Sequence, residues 1–179
     1  MKSRRRILIS ITSPAEEGAV EYPMSPEISR CTQQDYNQIL GELQDFWDGR
    51  ETRPLHHPMF IHEFGDSAFV IRDCAKIVAY LFGFVSQVGP VGYVHLVAVR
   101  ASARRQGLGQ ALFNRFIEFA RGRGCTQIKA ITTPSNSSSI AFHKSFGMEL
   151  LGHPNAEGVP VLPDYAGPDQ PRVVFWKAI

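Results

Sequence analysis

Three cysteines in 179 residues, odd in number and far apart at Cys31, Cys74 and Cys125, exclude a disulfide framework and any cysteine-based metal site of ordinary spacing. Their thiols are expected to pack as small buried hydrophobes in reducing surroundings. No apolar run approaches the ~20 residues needed to cross a bilayer, so the chain is read as soluble and cytoplasmic, without a membrane partner. Strong net charge is missing too: the formal total is +2. Lys2, Arg4, Arg5 and Arg6 supply more than that, which leaves the remainder slightly acidic and argues against a nucleic-acid partner. The basic start resembles a signal peptide, but its apolar run ends within a few residues at Ser10 and Thr12, with Pro14 and two glutamates following. Residues 1–25 are therefore expected to be a flexible arm, and residues 26–179 one domain.

What is present is a succession of short periodic segments. A strand at Glu27 to Cys31 leads through Thr32, a possible N-cap, into a helix over Gln33 to Trp47. Asp48-Gly49-Arg50 stops it, and a short helix is expected at Met59 to Phe64 after a proline-rich turn. Ser67 to Arg72, Ala75 to Ser86 and Gly92 to Arg100 are rich in β-branched and aromatic residues and closely spaced, so they read as antiparallel neighbours. Leu108, Ala111, Leu112, Phe116 and Phe119 then repeat at helical spacing. A strand at Thr126 to Thr132 follows, parallel to the Gly92 to Arg100 strand because a whole helix separates them. A short helix from Pro134 to Phe146, closed by Gly147, precedes strands at Glu149 to Gly152 and Val173 to Lys177, with a Pro/Gly-rich loop from His153 to Pro171 between these two. The fold class is α+β: a mixed, mostly antiparallel sheet of about six to seven strands flanked by about four helices.

The chemistry concentrates where Val97-Ala98-Val99 gives way to Arg104-Arg105-Gln106-Gly107-Leu108-Gly109-Gln110. A helix N-terminus exposes unpaired N–H groups and a partial positive charge, glycines let backbone approach closely, and the two arginines add full charges, so a pyrophosphate fits. The spacing excludes a Walker A loop and a dinucleotide fingerprint. Asn136, Ser139 and His143, at i, i+3 and i+7, share one helix face. On the strand, Tyr93, His95, Val97 and Val99 share one face if no bulge intervenes.

Arg104-x-x-Gly107-x-Gly109, together with Asn136-x-x-Ser139-Ile140-Ala141-Phe142-His143 running on to Gly147-Met148, resembles the paired signatures of the GNAT superfamily of N-acetyltransferases. The resemblance spans about Pro26 to Lys177. It implies a sheet splayed between the two parallel strands, with acetyl-CoA as cosubstrate and no metal. Val97, Ala98 and Val99 would pair with pantetheine, and Arg104, Arg105, Gln106, Gly107, Leu108, Gly109 and Gln110 would hold the pyrophosphate. Asn136, Ser139 and Phe142 would contact the cofactor. A homodimer is compatible with the superfamily.

The family's usual tyrosine is replaced here by His143, expected to act as acid or hydrogen-bond donor toward the departing thiolate. The run His95 to Val99 resembles the strand of arylalkylamine N-acetyltransferases, in which a histidine helps deprotonate the amine; His95 is the candidate base. His56, His57 and His62 lack a fixed ligand spacing, while Glu63, Asp66 and Asp164 could meet a cationic acceptor. The expected activity is acetyl transfer to a primary amine by direct attack in a ternary complex. A non-catalytic acyl-CoA sensor is the alternative that the change at His143 leaves open.

Overall fold

The computed structural model describes residues 26–179, so the expected N-terminal arm lies outside the described residues. β1 (Ile28–Arg30), β2 (Ala68–Asp73), β3 (Lys76–Val85) and β4 (Val91–Val99) form consecutive antiparallel pairs. β5 (Gln127–Thr132) joins β4 in parallel, and β9 (Val173–Ala178) and β6 (Glu149–Leu151) complete the order β1-β2-β3-β4-β5-β9-β6. The loop expected from His153 to Pro171 carries a small hairpin of its own, β7 (His153–Pro154) with β8 (Pro160–Val161).

The sheet opens in its middle. β4 and β5 are in register only from Val91↔Gln127 to Val94↔Ala130, whereas β5 stays paired with β9 along its whole length. The next residue on β4 after the last paired one is His95, and it is a bulge: Gly83 opposes Val94 and Phe82 opposes Leu96, leaving His95 without a partner on β3. A bulge re-aims side chains and sharpens local twist, which places the divergence of β4 from β5 at this residue.

Among the described residues five α-helices flank the sheet, where about four were expected. The segment Gln33 to Trp47 is broken at Glu42 into α1 (Gln33–Gly41) and α2 (Leu43–Trp47), the break following the weak helix former Gly41. Thr32 and Asp35 close a capping box at the start of α1. With α3 (Met59–His62), these helices cover one sheet face over Tyr80, Phe82, Leu96 and Ala98. α4 (Leu108–Gly122) covers the other face, fully burying Leu112, Phe113, Phe116 and Ala120. α5 (Ser137–Ser145) lies beyond it, its end marked by Gly147 at φ +68°. Cys31 and Cys125 are buried as expected, but Cys74 is exposed, held at φ +53° in the tight β2–β3 turn.

One buried charge ties these layers together. The Arg100 side chain is 4% exposed, pairs with both Glu42 and Asp45, donates from Nε to Ile77 O at 3.0 Å, and lies 4.6 Å over the Phe46 ring. Removing one partner of a buried pair is costly, but these two carboxylates are exposed enough to regain water. Arg100→Met is therefore expected to cost about 2 kcal/mol, roughly 4–8 °C in Tm by thermal melting.

Candidate active site

Backbone alternation decides what the splay offers. The Arg100 N–H donates to Val78 O at 2.8 Å, so Ala98 and Leu96 also face β3, and the backbone groups of Val97 and Val99 turn toward the gap beside β5. Beyond β4, Arg105 stands at φ +63° and Gly107 at φ +77°, curling the backbone just before α4. Gly107 is the N-cap and lends no side chain, so the first N–H groups of a 15-residue helix, at Leu108, Gly109 and Gln110, are left for an outside acceptor.

The two glycines serve different needs. At Gly107 a Cβ would meet open space, and the left-handed φ is what favours glycine there. At Gly109 a Cβ would come within 3.0 Å of the Phe142 ring of α5, so the start of α4 is packed directly against the second signature segment. These features fit the elongated, phosphate-bearing cosubstrate: strand-like backbone in the gap, then a glycine-opened helix start.

The arginines also divide. Arg105 is exposed, and its side chain makes no hydrogen bond or ion pair among the described residues. Arg104, expected to lend its charge to the anion, is instead bound to Asp48 at 3.0 Å, to Phe46 O at 2.9 Å and to Val99 O at 3.2 Å. Its guanidinium braces the end of α2 against the loop. Gln106 is exposed on the loop.

His95 does not share a face with Val97 and Val99, because the bulge inverts the alternation. Tyr93 and His95 stack on Phe84 and Phe60, at 5.0 and 4.5 Å, on the side of α1 to α3, whereas Val97 and Val99 pack with the α4 core. His95 Nε2 is 2.8 Å from Leu55 O. A carbonyl only accepts, so in the neutral ring Nε2 carries the proton and Nδ1 presents a lone pair. Burial holds His95 below the ordinary histidine value, opposed by the bond to Leu55, which leaves it a neutral base at physiological pH.

In α5, Asn136 Oδ1 caps the helix through Ser139 N–H at 3.2 Å, and His143 Nδ1 lies 2.8 Å from Ser139 O and 3.3 Å from Ser139 Oγ. The three residues do share a face. The His143 ring is buried, stacks on Phe175 at 4.3 Å, and its Nε2 has no hydrogen-bond partner among the described residues. Burial pushes its pKa down to about 4, against the bond to Ser139. With Nδ1–H directed at Ser139 O and Nε2 bare, the neutral ring presents an acceptor at the position where an acid or hydrogen-bond donor is expected from the sequence.

Sequence reasoning missed the aromatic slab beside His95. Phe60, Phe64, Phe84 and Tyr93 lie ring on ring, with Phe64 and Phe84 5.3 Å apart; Phe60 and Phe64 at i, i+4 were the available signal. Two of the three acidic candidates are committed elsewhere: Asp66 pairs with Arg30 and Arg123 at 2.9 and 2.7 Å, and Asp164 accepts the Asp169 N–H at 2.7 Å. Nor are His56, His57 and His62 one cluster. His56 is buried in contact with Tyr80, and His57 Nδ1 accepts the Met59 N–H.

An open sheet gap leading to an uncapped glycine-rich helix start is an α+β arrangement that presents free backbone N–H groups to an anion. The sequence model of the Acetyltransferase (GNAT) family matches residues 32–148, and the chain belongs to that family; it is an acetyl-CoA-dependent N-acetyltransferase. It is 42% identical over 107 residues to aminoglycoside N(6')-acetyltransferase type 1 of Klebsiella aerogenes, covering 60% of this chain and 68% of that protein. It is 45% identical over 51 residues to glucosamine 6-phosphate N-acetyltransferase 1 of Oryza sativa subsp. japonica, covering 28% of this chain and only 31% of that protein. In fold it resembles a solved aminoglycoside 6'-N-acetyltransferase complexed with coenzyme A, with a TM-score of 0.62, 16% identity, and coverage of 85% of this chain and 96% of that one. Among the described residues no helix is long and apolar enough to cross a membrane.

Proposed function

We propose that this N-acetyltransferase acetylates a primary amine by direct attack while amine and acetyl-CoA are bound together, with His95 Nδ1 taking the amine proton. The observation that carries this reading is the bulge: it sets a neutral histidine, its tautomer fixed by Leu55 O, at the point where β4 leaves β5. An ammonium ion has no lone pair until a proton leaves, so a base at this point supplies what the reaction needs. Acetyl-CoA supplies the acyl group as a thioester, and as the new C–N bond forms the C–S bond breaks and coenzyme A leaves as its thiolate. Val97 and Val99 hold its pantetheine through backbone groups, and their N–H groups orient the thioester carbonyl and stabilise charge developing on it. Arg105 and the N–H groups from Gly107 to Gln110 hold the pyrophosphate, with Asn136, Ser139 and Phe142 lining the other side. His143 keeps α5 seated and donates no proton.

The exposed, unpaired Cys74 supports a reducing, cytoplasmic setting. The test is thiol release from acetyl-CoA across a panel of primary amines, beside thermal melting with CoA. Amine-dependent release is expected. Stabilisation by CoA with no release by any amine would overturn the reading in favour of a sensor.

A further inference from the structure

The carbonyl that orients His95 belongs to a turn, and the turn is held from beneath by a buried chain of hydrogen bonds whose direction can be assigned. Trp47 Nε1–H, which can only donate, lies 2.7 Å from Tyr80 Oη. The Tyr80 hydroxyl lies 2.8 Å from His56 Nε2. His56 Nδ1 lies 2.8 Å from Thr52 O, an acceptor only, so Nδ1 carries the proton and Nε2 receives the one from Tyr80. The backbone of His56 is held as well: its carbonyl accepts from Tyr36 Oη at 2.5 Å, and its N–H donates to Arg53 O at 3.0 Å. Thr52 O also receives the Leu55 N–H at 2.9 Å, which closes the turn that carries Leu55. Every donor in this chain has one compatible acceptor, and the side chains of Tyr80 and His56 are buried.

We infer that Tyr80 and His56 are positioning residues for His95: through the Thr52–Leu55 turn they hold the Leu55 carbonyl on His95 Nε2–H, fixing which ring nitrogen faces the amine. This rests on the reading of His95 as the base. The arrangement does for His95 what a carboxylate does in a catalytic triad, with a backbone carbonyl in the orienting place. The carbonyl both selects the tautomer and stabilises the imidazolium that forms when the amine proton arrives. The groups facing His95 have few charges among them: His56 across the turn with Arg53 beyond it, Phe60 from α3, Phe82 and Phe84 from β3, and the Tyr93 phenol on β4 itself. His56 is kept neutral by burial first, opposed by its bond to Thr52, and a change at Tyr80 therefore reaches His95 through the turn.

Tyr80→Phe removes the hydroxyl and keeps the ring. In the folded variant the acid limb of kcat/KM against pH is expected to move to lower pH by about half a unit or more, since the imidazolium loses part of its acceptor. The plateau falls about three- to tenfold, and the KM for acetyl-CoA stays unchanged. Trp47→Phe, which removes only the outermost donor, should give a smaller shift in the same direction and serves if Tyr80→Phe does not fold. Nitrogen-15 NMR of the unsubstituted protein gives an independent reading: His56 protonated at Nδ1 and His95 at Nε2, with His95 titrating at the pH of the kinetic limb. An unshifted limb in a folded variant, or a His95 ring averaging between tautomers, would overturn the inference. If His95→Gln leaves the limb in place, the base assignment fails instead, and the NMR tautomers still judge the hydrogen-bond chain.

Discussion

His95→Gln lowers kcat/KM by about a hundredfold to ten-thousandfold, the usual contribution of a positioned general base. Glutamine keeps a polar planar end that can still donate to Leu55 O and occupy much of the space over Phe60, so packing at the bulge survives while the basic nitrogen does not. In the unsubstituted enzyme the rate rises with pH as His95 loses its proton. Because burial sets its pKa below the ordinary histidine value, that rise lies at lower pH than an exposed histidine would place it. In the variant the limb disappears and the rate instead follows deprotonation of the free amine, climbing toward alkaline pH. Steady-state kinetics at several pH values check both features. Near-normal kcat/KM with the limb intact would assign proton transfer to another group or to water.

His143 governs stability in acid. Its folded pKa of about 4 lies below the 6.5 of an exposed histidine, so between those values the unfolded chain binds a proton that the folded protein refuses. A depressed histidine therefore leaves stability intact above about pH 6.5 and removes it as pH falls toward 4. At about 1.4 kcal/mol per unit, the loss is on the order of 3 kcal/mol. His143→Phe keeps an aromatic ring to stack on Phe175 and removes the bare Nε2. The variant should lose less stability between pH 6.5 and 4, measured by denaturant titration at each pH, with kcat at neutral pH within about twofold of the parent because the ring gives up no proton there. A steep fall in kcat would restore a catalytic role to this ring.

The elements legible in the sequence were those with local causes. Thr32 as an N-cap, the period of α4, the hairpin spacing of β2 to β4 and the glycine at the end of α5 each act within a few residues, and each stands where the pattern put it. What escaped depended on partners far along the chain. The bulge at His95 exists only in relation to Phe82 and Gly83, and it turns His95 to the opposite face from Val97. Arg104 carries the charge an anion site wants, yet Asp48, 56 residues earlier, takes it. The burial of His143 includes Phe175 of β9 stacked on its ring, a contact that the sequence of α5 alone does not reveal. At the proposed site the two glycines of the strand-to-helix turn were legible, because they have a local reason. The site's protonation states were not, because burial is a property of the assembled core.

The contact between Gly109 and Phe142 makes the two signature segments a single unit of exchange. A helix start taken from a relative and bearing alanine at 109 would press a methyl group into the Phe142 ring, and a smaller residue at 142 opposite the native glycine would open a void beneath the first turn of α4. Chimeras of this enzyme should therefore carry Arg104 to Gln110 and Asn136 to Phe142 from the same parent, and a library that shuffles them separately should recover the parental pairings among its active members.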